Sequence, residues 1–251
     1  MNIAIITGAS SGLGKEFYKL LQNEPLDEVW VIARRESNLI DLCQKYGKIG
    51  HRVLSMDLTN ESSIDRLNSI LEQEKPNIKY LINNAGFGLF GDFLTIDKSK
   101  QASMIDINVR ALTQMSSIAI NFMSEGSKII NISSIVAFAP VAKFSAYAAS
   151  KSYVLNFSRA LRNELKKKGI NVTAVCPGPM KTEFFGVAGL DDSGKKLFGT
   201  LPYCDPTKTA NGGIKAAKRG RAVYTPTLSY KLLRIVGKLV PHSILIKFIK
   251  V

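Results

Sequence analysis

Cysteine and histidine are scarce in this chain of 251 residues: there are three cysteines, Cys43, Cys176 and Cys204, and two histidines. The cysteines are too few and too scattered for a disulfide framework, so all three read as reduced thiols. No CxxC pair or histidine cluster offers metal ligands. No internal repeat is visible, and no Pro-rich or Ser/Gly-rich linker divides the chain, so a single domain over residues 1–251 is expected. The two apolar segments near the C-terminus each fall short of the ~20 residues a membrane span needs. The first strand pattern, "NIAIIT", follows the initial Met directly, without a basic n-region or a small-residue cleavage site. No secretory signal is therefore expected, and the predicted location is cytoplasmic.

Acidic residues are also in short supply, 20 against 34 Lys and Arg, which leaves a net charge of +14. The basic residues are spread over many segments and no nucleic-acid module accompanies them. The charge is therefore read as a solvated surface able to steer an anionic ligand, and no nucleic-acid partner is expected.

What the chain does have is a hydrophobic content of 45% and a regular succession of apolar, β-branched runs. "NIAIIT", "EVWVIA", "HRVLSM", "KYLIN", "KIINIS" and "INVTAVC" are separated by longer amphipathic stretches, and "RAVYT" at Arg221 to Thr225 adds a shorter seventh run. This alternation predicts an α/β fold: a doubly wound, mainly parallel seven-stranded sheet with helices on both faces. Continuous rather than alternating hydrophobicity fits strands covered on both sides. In such sheets ligands bind beyond the carboxyl ends of the strands. Four of those ends carry polar or glycine-rich signals: "TGASSGLG", "ARRES", "MDLT" and "NNAG".

"TGASSGLG", Thr7 to Gly14, follows a strand and opens a helical pattern. Gly8, Gly12 and Gly14 can therefore let the backbone approach a pyrophosphate at a helix N-terminus. Further along come "NNAG" at Asn83 to Gly86, Asn108 in "DINVRA", Ser134 in "NISSIVAF", "YAASK" with Tyr147 and Lys151, and "PGPMKT" at Pro177 to Thr182. In this order, over about Thr7 to Thr182, the motifs resemble the short-chain dehydrogenase/reductase family, whose fold is of Rossmann type. The resemblance implies a dinucleotide held by Gly8, Ser10, Ser11, Gly12, Leu13, Gly14, Asp57, Leu58, Asn84, Ala85, Gly86, Tyr147, Lys151, Pro177, Gly178 and Thr182. It also implies a homodimer or homotetramer. Arg110, after Asn108 and Val109, stands where many relatives have a small residue.

At the end of the second strand a carboxylate would favour NAD, whereas an Arg would pair with a 2′-phosphate. The chain has Ala33, Arg34 and Arg35 there, so NADP(H) is the expected cofactor, with Arg34 as the first contact, Arg35 as a possible second and the Ser10 hydroxyl as a third.

Tyr147 and Lys151 lie four residues apart, which on a helix stacks them on one face. The ammonium is expected to ease loss of the phenol proton. Tyr147 is then the general acid for ketone reduction and the base in the reverse direction. Ser134 could bind the carbonyl oxygen, with Ser133 turned away by strand alternation. The resemblance gives Asn108 a water linking Lys151 to solvent, and gives Lys151 the nicotinamide ribose, so Tyr147, Lys151, Ser134 and Asn108 form the expected catalytic set.

The expected activity is hydride transfer between NADP(H) and a small-molecule carbonyl or secondary alcohol. The aromatics Phe87, Phe90, Phe138, Phe144, Phe184 and Phe185 suggest an apolar substrate. A 3-oxoacyl thioester is the enzymatic alternative, and a non-catalytic NADP(H)-binding sensor or peripheral membrane protein is the alternative from another class. Residues 183–204 have the composition of a substrate lid. Residues 227–251 form a basic amphipathic extension, with Lys231, Arg234 and Lys238 on one helical face and Leu232, Ile235, Val236 and Leu239 on the other. The apolar faces are expected to cover core, pocket or a subunit interface, in preference to a membrane.

Overall fold

The computed structural model describes residues 1–189 and 201–248. The seven apolar runs form one parallel sheet: β1 (Asn2–Thr7), β2 (Glu28–Ala33), β3 (Gly50–Ser55), β4 (Asn77–Asn83), β5 (Lys128–Ile132), β6 (Asn171–Val175) and β7 (Val223–Tyr224), in the order β3-β2-β1-β4-β5-β6-β7. The order reverses between β1 and β4, which opens a crevice at the carboxyl ends of these neighbours. β7 is only two residues long, shorter than the run "RAVYT" suggested.

The unbroken hydrophobicity of the strands follows from their burial on both faces. In β1, Ala4 and Ile6 point to one side, where they meet Phe17 of helix α1 (Gly12–Leu21), Leu39 and Leu42 of α2 (Glu36–Tyr46) and Ile214 further along. Ile3 and Ile5 point to the other side, with Leu67 and Leu71 of α3 (Glu61–Glu74). This period of two along the strand serves both layers at once.

The helical run after "NNAG" is not one regular helix. α4 (Lys98–Ile105) passes into a π-helical turn over Asp106–Ala111 before α5 (Leu112–Ile120). The widened turn contains Asn108, which is buried, so the irregularity coincides with a polar residue turned inward. α6 (Ser145–Glu164) carries Tyr147 and Lys151, both on its buried face as their spacing predicts.

Beyond β6 come a one-turn helix α7 (Phe184–Val187), α8 (Pro206–Lys218), α9 (Leu228–Leu239) and α10 (His242–Phe248). The segment 183–204 expected as a lid is described only over 183–189 and 201–204, its middle lying outside the described residues. Of the three covers expected for the apolar face of the C-terminal extension, the core and the pocket do not apply to all of it. Leu232, Ile235 and Leu239 are exposed and cover neither core nor pocket. α9 docks instead through Tyr230, which is fully buried, and through Leu233 and Gly237, which pack near the 3₁₀ turn Ile135–Phe138. A single small residue, Gly237, sets this geometry, because any Cβ there would collide with the Phe138 carbonyl. No described helix is long and apolar enough to cross a membrane.

Candidate active site

The carboxyl ends of β1, β2, β4, β5 and β6 open onto one cleft of about 450 Å³. The structure brings nearly all the residues named from the sequence to this cleft. Its walls include Gly8 and Ser10 to Leu13 from the first turn, Arg34 and Arg35 after β2, and Asp57 and Leu58 after β3. Asn84 to Gly86, Ser134, Tyr147, Lys151, Pro177, Gly178 and Thr182 complete them. Gly14 and Asn108 stand behind the wall.

The glycine-rich turn is held open from below. Gly8 has φ +66, and a Cβ there would lie 2.8 Å from the Ala85 Cα; at Gly14 it would collide with the Gly8 carbonyl. Asn84 donates from Nδ2 to the carbonyls of Thr7 (3.1 Å) and Gly8 (3.0 Å), and the Thr7 hydroxyl accepts from the amides of Asn84 and Ala85, both at 3.0 Å. "NNAG" therefore braces the first turn as well as lining the cleft. Thr7, given no role from the sequence, is the hub of this brace; its only signal was a hydroxyl at the end of an apolar strand. The N-terminus of α1 has no side-chain cap and no acid in its first turn, which leaves its amides and the positive end of its dipole facing the cleft. Together these features fit the pyrophosphate of a dinucleotide.

At the end of β2 the two arginines differ. Arg35 forms an ion pair with Glu183 on the far side of the cleft (2.9 Å), with Ser10 Oγ at 3.5 Å from the same Nη2. Arg34 is exposed and has no side-chain partner among the described residues. Asp57 turns its Oδ1 to the amide and hydroxyl of Thr59, at 3.0 and 2.7 Å, as a local turn cap.

Tyr147 and Lys151 are both buried at the inner end of the cleft. The Lys151 ammonium donates to the Ile132 carbonyl (3.0 Å) and lies 5.7 Å from the centre of the Tyr147 ring. Burial pushes the Tyr147 phenol well above the ordinary tyrosine range, with the neighbouring Ser134 hydroxyl opposing the shift. Burial also lowers Lys151 to about 8. Desolvation is thus the largest influence on both groups in the cofactor-free chain, and the Lys151 ammonium is turned to a main-chain oxygen.

Ser134 sits at the N-cap of the 3₁₀ turn and accepts from the Val136 amide (3.3 Å). Ser133 points away, as alternation predicted, and donates to the Lys151 carbonyl (2.7 Å). Asn108 receives the Phe87 amide at Oδ1 (3.2 Å), and from Nδ2 donates to the Phe87 carbonyl (2.9 Å) and to Ser150 Oγ (3.0 Å). Ser150, absent from the sequence reading, in turn donates to the Tyr147 carbonyl (2.7 Å) and so ties the π turn to α6.

Rings extend outward from the phenol in an unbroken series. Phe144 and Phe184 lie 5.4 and 5.7 Å from Tyr147, Phe90 lies 5.1 Å from Phe144, and Phe185 and then Tyr203 continue at 6.4 and 5.9 Å. Phe138 does not join this wall, because it is buried beneath α9. Gly178, in the turn after β6, has its Cα face against the Tyr230 ring, so its lack of a side chain serves the docking of α9 as well as the cleft.

A topological switch point with a glycine cradle, an open helix end and a buried Tyr/Lys pair defines a nicotinamide-dependent oxidoreductase of Rossmann type. Residues 2–191 match the family model of short chain dehydrogenases, and the chain belongs to that family. It is 31% identical over 182 residues to an uncharacterized oxidoreductase of Staphylococcus aureus strain N315, covering 72% of this chain and 78% of the relative. It is 30% identical to the ketoacyl reductase HetN of Nostoc sp. strain PCC 7120, covering 96% and 85%. Among solved structures, a short-chain dehydrogenase from Sphingobium yanoikuyae in complex with NADPH superposes with a TM-score of 0.80 at 28% identity, covering 95% and 93%.

Proposed function

We propose that this protein is an NADP(H)-dependent reductase of apolar ketones, with Tyr147, Lys151 and Ser134 as its catalytic residues and Asn108 as a positioning residue. The observation that carries the reading is the convergence of Tyr147, Lys151 and Ser134 in the same cleft as the uncapped N-terminus of α1. When bound, the nicotinamide supplies the hydride. Tyr147, kept protonated by its burial, donates its proton to the developing alkoxide, and the Ser134 hydroxyl stabilises the charge on that oxygen. Lys151, fixed by Ile132, holds the nicotinamide ribose, and Asn108 orients α6 through Ser150. Arg34 gives the preference for a 2′-phosphate, with Arg35 contributing less because Glu183 already engages it.

The ring series from Phe90 to Tyr203 supports an apolar substrate whose carbonyl reaches Tyr147 while its bulk rests on aromatic faces. A 3-oxoacyl thioester is the second reading, favoured by the ketoacyl reductase relative. The test is NADPH consumption with ketones graded by size and with 3-oxoacyl thioesters. Tyr147→Phe should lower turnover by a factor on the order of 10² to 10⁴ and leave NADPH binding in place. Binding of NADPH without turnover of any carbonyl would replace the enzyme by a sensor. Higher kcat/KM for the thioesters would select the second reading.

A further inference from the structure

Helix α9 presents two unlike sides. Tyr230, Leu233 and Gly237 face the protein, and Arg234 joins them, its Nη1 3.5 Å from Thr225 Oγ1. On the opposite side Leu228, Leu232, Ile235 and Leu239 repeat at helical spacing and are 80%, 61%, 51% and 73% exposed. Lys231 and Lys238 flank that stripe and are exposed. Ile244 and Ile246 of α10 extend the exposed apolar surface past Pro241. A continuous row of leucines and isoleucines directed at solvent is uncommon unless something covers it.

The charge of the segment identifies the cover. Residues 206–251 contain ten Lys and Arg and no Asp or Glu. A second copy of the chain joined about a two-fold axis through the stripe would bring Lys231 and Lys238 against their own counterparts, with no acid in the segment to pair with them. An anionic bilayer offers what a second copy lacks: an apolar layer for the leucines and, just above it, phosphates for the lysines. We propose that α9 and α10 form a peripheral docking surface for an anionic lipid membrane. The helices lie in the interfacial plane, with Leu228, Leu232, Ile235 and Leu239 below the headgroups and Lys231 and Lys238 among them. This surface uses no residue of the proposed active site, so it stands or falls separately from the activity.

The experiment is sedimentation of the full chain with vesicles of phosphatidylcholine containing about one third phosphatidylglycerol, against vesicles of phosphatidylcholine alone. The protein should pellet with the anionic vesicles at low salt, be released as salt rises, and stay in solution with the neutral ones. Lys231→Gln with Lys238→Gln should weaken binding about thirtyfold. Leu232→Ser with Ile235→Ser should weaken it by about a hundredfold or more. Both variants alter exposed side chains, so their circular dichroism and melting should match the parent. Protein that remains in the supernatant with anionic vesicles at low salt would overturn the proposal. So would a Leu232→Ser/Ile235→Ser variant that still pellets, or one that converts a dimer to a monomer in sedimentation velocity, which would assign the stripe to a second copy.

Discussion

Lys151 is held in a buried position where its ammonium is poorly solvated, so its replacement by Met should stabilise the fold while removing activity. Burial brings the group from 10.5 to about 8, a difference that corresponds to about 3 kcal/mol of folding free energy. Because the folded value lies below the unfolded one, this cost is fully present below about pH 8 and fades as the pH rises to 10.5, where the unfolded chain also loses its proton. Met fills a similar volume without charge, but it leaves the Ile132 carbonyl without the donor it now has at 3.0 Å, a loss of about 1 kcal/mol. The net gain near neutral pH is about 2 kcal/mol, or roughly 4 to 8 °C in melting temperature for a chain of this size. The assay is thermal or urea unfolding of both proteins across the range from neutral to pH 10.5, beside NADPH turnover. The variant should be more stable at neutral pH, lose that advantage with rising pH, and be inactive. A variant less stable than the parent at pH 7, or a stability difference that does not change with pH, would refute the reasoning about desolvation.

The same titration predicts that kcat/KM for NADPH falls above about pH 8 as Lys151 loses its proton, measured as a pH profile of initial rates. Arg34→Ser should raise KM for NADPH on the order of ten- to a hundredfold and leave NADH kinetics nearly unchanged; equal effects on both cofactors would remove Arg34 from the 2′-phosphate. Asn108→Ala leaves the main chain of Phe87 without its partner and removes the hydrogen bond that the Ser150 hydroxyl accepts. It should cost about 1 to 3 kcal/mol in urea unfolding and lower kcat more than it changes KM for NADPH.

How much of this was legible beforehand differs by element. The strands could be read because burial on both faces demands uninterrupted apolar residues, and that demand is written locally, as in "NIAIIT" and "EVWVIA". The Tyr147/Lys151 pair could be placed on one helix face from its spacing alone. The π turn at Asn108 could not, since "DINVRA" has no breaker or cap, and the widened turn depends on what Asn108 meets across the fold at Phe87 and Ser150. Arg35 and Glu183, 148 positions apart, gave no sign of their pairing, because the contact forms only when the loops after β2 and β6 face each other.

The sequence by itself determined the sheet, the glycine turn and the shared helix face of Tyr147 and Lys151, because each rests on local periodicity or on a backbone that tolerates no side chain. Only the tertiary structure decided how deeply Tyr147 and Lys151 are buried, since desolvation depends on everything packed around a group. It also decided which side of α9 faces outward. An amphipathic pattern marks two faces but not which of them the protein covers, and here one glycine over the Phe138 carbonyl and one tyrosine on Gly178 turn the apolar stripe to the outside.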